Sequence, residues 1–209
     1  MPDPGPEAPV LGAIVLAAGG SSRMGVAKQL LELDGVPLLV RTVDVVLDSR
    51  AHPVVVVLGA DEERIRISIC GRDVVVAPNP AWRAGLSTSI RAGMAAMLRA
   101  APAVNAVLVT PCDQPALSSE IIVRLFDAHR STGRIACARF NGRNASPAVF
   151  GRTHFHALQS LAGDQGARTL LNGEPGDVEA IDIPALEADL DTMDDYEKWA
   201  KGVPGIQGP

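Results

Sequence analysis

Cysteine is scarce in this chain: Cys70, Cys112 and Cys137 are three thiols among 209 residues, far apart and with no CxxC pair or histidine cluster beside them. That pattern excludes a disulfide framework and a thiolate zinc site, and it leaves the thiols as small buried hydrophobes. Aromatic residues make up only 3 % of the chain, so no wide stacking platform is on offer. Positive charge is not in excess either. With 19 Lys and Arg against 24 Asp and Glu, the net charge is −5 and the cations are scattered, which argues against a nucleic-acid partner. No stretch reaches the ~18 uninterrupted apolar residues of a membrane span. The opening MPDPGPEAPV lacks the basic region, apolar run and cleavage-like site of a secretory leader. A cytoplasmic protein without membrane contact is expected. Two common nucleotide fingerprints, GxxxxGK[ST] and GxGxxG, are missing as well.

Aliphatic residues are plentiful. Hydrophobic residues reach 47 % and charged ones 21 %, enough to bury a full core in one α/β domain. Short β-branched runs at 13–16, 54–58, 73–77, 106–109, 135–139 and 148–150 read as strands. Stretches with helical spacing lie at 27–31, 38–49, 61–69, 86–98, 118–129 and 157–161. Buried strands alternating with helices predict a doubly wound, mostly parallel sheet in a three-layer α/β/α sandwich. The domain is expected over 11–200, with loose termini at 1–10 and 201–209, and long loops at 141–147 and 172–177. In open sheets of this kind ligands gather beyond the carboxyl ends of the strands.

Three stretches follow strand ends. After Leu16 the chain runs Ala17, Ala18, Gly19, Gly20, Ser21, Ser22 and then presents Arg23 and Lys28. Small residues let the backbone approach a ligand with its N–H groups turned inward, and the two cations match a di- or triphosphate. The bland alternative is a strand-to-helix turn with two surface cations. In VTPCDQPAL, residues 109–117, Asp113 stands at a strand end between Pro111 and Pro115. It is a candidate Mg²⁺ ligand. Its other reading, a helix cap, is weakened because Ser118 and Ser119 are better caps. In NPAWRAGLSTSIRAG, residues 79–93, Gly85 allows an unusual turn, and Ser87, Thr88 and Ser89 open a helix whose first amides favour a phosphate or ribose. Simple capping by Ser87 competes with that reading. Trp82, just before Gly85, either packs in the core or lies against a base.

Together with GDQGAR at 163–168 and DLDTMDDY at 189–196, these stretches resemble the molybdopterin nucleotidyltransferase-like family, and within it the molybdenum cofactor cytidylyltransferases. The resemblance covers about residues 12–200 in motif order and implies a nucleotide-diphospho-sugar transferase-like fold. It implies Mg²⁺-dependent transfer of CMP from CTP to the phosphate of molybdopterin. By that pattern Leu16, Ala17, Ala18, Gly19, Gly20, Ser21 and Arg23, with Ser87 and Thr88, bind the nucleotide. Lys28 and Asp113 are catalytic, and Asp113 and Asp191 hold the metal, with Asp189 competing for the role of Asp191. The LAAG form of residues 16–19 goes with cytidine nucleotides in that family, and LAGG with guanine nucleotides. No side-chain nucleophile is needed, because metal and cations carry the displacement at phosphorus.

One segment departs from the pattern. Where the family reads Gly-His-Pro, this chain has Asn144, Ala145, Ser146, Pro147, and His154 and His156 lie some way downstream. The same family contains nicotine blue oxidoreductases, which reduce a quinone-type pyridine pigment with NADH or NADPH. A reductase needs no acceptor-side histidine, so it stands as the alternative function. A third reading is a carrier that hands a pterin cofactor to a molybdoenzyme.

Overall fold

Runs such as Val54–Leu58, with every residue fully buried, can only exist with packing on both faces. Each such side chain contributes roughly 1.5–3 kcal/mol of transfer free energy. The structure, a computed structural model, describes residues 9–21, 24–164, 166–173 and 176–200. The elements are β1 Leu11–Ala17, β2 Glu32–Leu33, β3 Val36–Pro37, α1 Leu38–Asp48, β4 Val54–Leu58, α2 Glu62–Ser68 and β5 Val75–Pro78. There follow α3 Leu86–Ala100, β6 Ala106–Pro111, α4 Ser119–Thr132, β7 Ile135–Phe140, β8 Arg143–Gly151, α5 Phe155–Gln159, α6 Arg168–Leu171, β9 Val178–Asp182 and α7 Met193–Ala200.

One seven-stranded sheet runs β5-β4-β1-β6-β8-β7-β9, and β2 and β3 form a small hairpin. Within the large sheet β8 alone is antiparallel to its neighbours. Alternate residues of each strand enter different cores. Val15, Val56, Leu108 and Val149 pack with α1, α2 and α4 through Val43, Ile65 and Leu125. Ile14, Val57, Val109 and Phe150 pack with α3 and α5 through Ile90, Met94 and Leu158. The expected doubly wound three-layer sandwich is therefore the observed one. Among the described residues no helix is long and apolar enough to cross a membrane.

Several expectations need correction. Residues 141–147 are not a long loop. Asn141 and Gly142, both at positive φ, form a two-residue turn that pairs Phe140 with Arg143 and leads straight into β8. Asn-Gly is a strong hairpin signal, and it stood in the sequence unread. The helix expected at 27–31 is only a 3₁₀ turn at Lys28–Leu30. The strand β9 and the helices α6 and α7 were not anticipated. Val10 is not loose, because it exchanges hydrogen bonds of 2.8 and 2.9 Å with Asn105. The rest of the expected loose termini, 1–8 and 201–209, lies outside the described residues. Cys112 and Cys137 are buried as expected, but Cys70 is exposed.

Candidate functional site

β1 and β6 lie side by side and parallel, with Leu16 opposite Pro111. From β1 the chain winds outward to β4 and β5, whereas β6 opens onto the other half of the sheet. The crevice where the order reverses is where ligands settle in open α/β sheets. The Gly-rich loop after β1 and the acidic loop after β6 both emerge there.

Across that crevice the Lys28 ammonium donates to the carboxylate of Asp113 and, at 3.3 Å, to Asp191 Oδ1. The Lys28 and Asp113 side chains are only 17 % and 15 % exposed, while Asp191 is 41 % exposed. Burial favours a neutral lysine, but attraction and a hydrogen bond to Asp113, helped by Asp191, outweigh it and raise the pKa. The lysine stays charged at neutral pH. Asp189 lies two residues before Asp191. Burial of its carboxyl and the charge of Asp113 push it up to about 6, with the Gln114 amide holding it back. By surface area, however, the residue is exposed, so solvent screens part of that effect. Cys112 is buried, and its thiol is pushed up to about 12 by burial and by Asp113, so it stays protonated. It is no nucleophile.

The carboxylates that meet on Lys28 are hard oxygen donors around one cationic point, the chemistry that suits Mg²⁺ or Mn²⁺. Among the described residues no group of three or more His, Cys, Asp or Glu is arranged to hold a metal ion unaided. A two-carboxylate site completed by waters and substrate phosphates fits this donor set.

The loop after β1 is held from below. Adding a Cβ at Gly20 or Gly59 would strike the Trp82 ring at 2.7 or 2.8 Å, so the indole packs under the loop in contact with the second core. Arg83 stacks over its ring at 4.3 Å. Ala17 and Ala18 are buried, while Gly19 and Gly20 are exposed. Arg23, expected to bind phosphate, lies outside the described residues.

The 79–93 stretch differs from expectation. Gly85, at φ 109°, precedes α3, and Ser87 makes no cap hydrogen bond. The Thr88 hydroxyl donates to Gly85 O at 2.8 Å and accepts from Asn79 Nδ2 at 2.9 Å. The hydroxyl lies within 3.1 Å of Ala81 O as well, so its observed partners all belong to the loop before α3. Ser87 Oγ is buried without a partner. Asn79, which also donates to Ser89 Oγ at 3.0 Å, is the hub of this loop and was passed over as the first residue of its motif.

The departing segment touches the acidic loop directly. Gln114 Nε2 donates to Ser146 O at 3.1 Å, and the register of β8 against β7 shifts between Cys137 and Ala138, so residues 146–147 bulge there. The Asn144 side chain accepts from Arg139 and donates to Leu171 O, so it serves the framework. His154 and His156 follow β8, whose last residue Gly151 pairs with Ala106 at the start of β6. They stand at the opposite end of the sheet from Asp113 and do not replace the missing histidine.

Residues 13–179 match the family described as the MobA-like NTP transferase domain. The chain is 33 % identical over 202 residues to the nicotine blue oxidoreductase of Paenarthrobacter nicotinovorans, covering 90 % of this chain and 95 % of that one. It is 30 % identical over 140 residues to a molybdenum cofactor guanylyltransferase of Shewanella putrefaciens, covering 66 % of each. The crystal structure of Rv0371c from Mycobacterium tuberculosis H37Rv superposes with a TM-score of 0.78 at 29 % identity, over 94 % of this chain and 100 % of that one. A structure of Rv0371c in complex with manganese gives 0.72 at 28 %, over 93 % and 99 %. The doubly wound sheet is thus of the nucleotide-diphospho-sugar transferase type. With the match running from β1 into β9, the chain belongs to the family of MobA-like NTP transferase domains.

Proposed function

We propose that this chain is a cytoplasmic, divalent-metal-dependent nucleotidyltransferase that moves CMP from CTP to the phosphate of molybdopterin and releases pyrophosphate. The observation that carries the reading is the Lys28 ammonium shared by Asp113 and Asp191 at the sheet's switch point, beside a glycine loop with exposed backbone. A pterin phosphate oxygen attacks the α-phosphorus in line, and the bond to the β-phosphate breaks. Lys28 offsets charge on the triphosphate, and the amides of Gly19 and Gly20 face its oxygens. Asp113 and Asp191 would hold Mg²⁺, whose chemistry when bound is to neutralise charge building on the phosphates. That the mycobacterial relative forms a complex with manganese supports the use of a divalent cation. Cytidine is favoured over guanine by the LAAG form of residues 16–19. The product would then pass to a molybdoenzyme.

A second reading, NAD(P)H-dependent reduction of a quinone-type pigment, is favoured by the full-length likeness to nicotine blue oxidoreductase and by the missing histidine before Pro147. Thermal stabilisation by CTP, GTP, NADH and NADPH, each with and without Mg²⁺, separates the two. A ligand at a hundredfold excess over its Kd adds about 2.7 kcal/mol of stability. Transfer predicts a Mg²⁺-dependent shift with CTP and pyrophosphate release when the pterin is added. A Mg²⁺-independent shift with NADH or NADPH, and none with CTP, would overturn it in favour of the reductase.

A further inference from the structure

Gln29 is a polar side chain with only 1 % exposure, in the short turn that also presents Lys28. A buried amide is costly unless bonded, and an aliphatic residue would fill the same volume without that cost. Its bonds do not serve the core. Gln29 Nε2 donates to Ala17 O at 2.9 Å and to Gly19 O at 2.8 Å, two carbonyls of the Gly-rich loop. Ser21 Oγ donates to Gln29 Oε1 at 3.5 Å and accepts from the Lys28 N–H at 3.0 Å, closing a ring of contacts between loop and lysine. The carbonyl between the two, Ala18 O, accepts from Ala60 N at 3.1 Å.

In a trans peptide the C=O and the following N–H point in opposite directions. Turning Ala17 O and Gly19 O toward Gln29 therefore turns the N–H groups of Ala18 and Gly20 away from it. Pinning Ala18 O on Ala60 N likewise fixes the Gly19 N–H, which points away from Ala60. Among the described residues the Gly19 and Gly20 amides donate to no backbone carbonyl outside the helices and strands. Gly20 and Ser21 also line a concavity of about 430 Å³ between this loop and the start of α2.

We propose that Gln29 is a positioning residue: its buried carboxamide sets the peptide orientations with which the Gly-rich loop binds a polyphosphate, and ties them to Lys28. The inference rests on the nucleotidyl-transfer reading and assigns that site a residue outside the ligand shell. Two variants test it. Gln29→Met keeps the length and loses both donated hydrogens, and Gln29→Glu sets a carboxylate against two carbonyl oxygens.

Inorganic pyrophosphate with Mg²⁺, titrated by calorimetry, is the probe, together with steady-state kinetics against CTP. Each variant should bind pyrophosphate about tenfold or more weakly and raise KM for CTP more than it lowers kcat. A purely structural role would lower the melting temperature and leave both Kd and KM unchanged in the folded fraction, which overturns the proposal. Wild-type protein offers a check that no folding defect can blur. In a ¹⁵N-labelled sample the Gly19 and Gly20 amide signals should move with pyrophosphate, while the Gln29 side-chain amide protons stay protected from exchange. Unmoved glycine signals, or a Gln29 amide that exchanges as freely as an exposed one, would count against it. Wild-type protein that binds no pyrophosphate at all sinks the transferase reading along with this one; wild type that binds while both variants bind equally well sinks the Gln29 assignment alone.

Discussion

The two carboxylates on Lys28 are delivered by different means. Asp113 comes two residues after β6, with its side chain 15 % exposed, so the sheet itself fixes it. Asp191 lies in an irregular segment between β9 and α7 and is 41 % exposed. It is brought in by a strap. Leu190 N donates to Asp113 O at 3.0 Å, and Leu190 packs with Leu33 and Leu38 in a small cluster flanked by Tyr196 and Trp199. Beyond it Thr192 and Asp195 cap α7 reciprocally, at 2.9 and 3.2 Å, and Tyr196 OH donates to Glu32 O at 2.7 Å. A sheet end holds a charge rigidly at no extra entropic cost, whereas a strap depends on a few contacts that can open locally.

The sharpest break of that contrast is Asp113→Ala. Under metal-assisted transfer it should lower kcat for pyrophosphate release in the folded protein by about 10²–10³, because a carboxylate that would hold the divalent cation is lost. Near-wild-type activity would favour the reductase. Asp191→Asn should cost less, on the order of tenfold, since its contact is longer and more solvated. Leu190→Ala tests whether the strap is what delivers that carboxylate. Removing a side chain that is 1 % exposed should destabilise the protein by about 2–4 kcal/mol and lower kcat to the level of Asp191→Asn. The double variant should then show no further loss of kcat. Additive losses would mean that Leu190 acts through Asp113 instead.

The smallest effect concerns pH. Asp189, raised in the folded protein to about 6 from its usual 3.8, contributes stability that is fully present below its unfolded value and lost as pH rises through the folded one. Asp189→Asn should therefore gain in melting temperature relative to wild type between pH 4 and 6, measured with a chelator present. Identical pH profiles would show that solvent around the exposed residue screens the effect entirely.

Much of the frame was legible beforehand. The β-branched runs located six strands of the large sheet, and the rule that ligands collect at strand ends singled out Lys28 and Asp113, which meet in the structure. The Asn141–Gly142 hairpin was legible too, since Asn-Gly between two apolar runs is a two-residue turn signal. β9 was harder to see. Its residues are only partly buried at the sheet's edge, so VEAID carries no long apolar run.

Composition and periodicity alone settled the layered α/β class and marked a small-residue loop and a strand-end acid, because burial on two faces and small residues after a strand leave a local trace. The inward turn of Gln29 and Thr88, the Asn79 hub and the return of residues 183–192 to Lys28 leave none. Which carbonyl a buried amide meets depends on atoms far away in the chain. The surface on which Leu190 lands exists only after Leu33 and Leu38 have been set against the finished sheet. Packing therefore chose the second carboxylate and the shape of the loop.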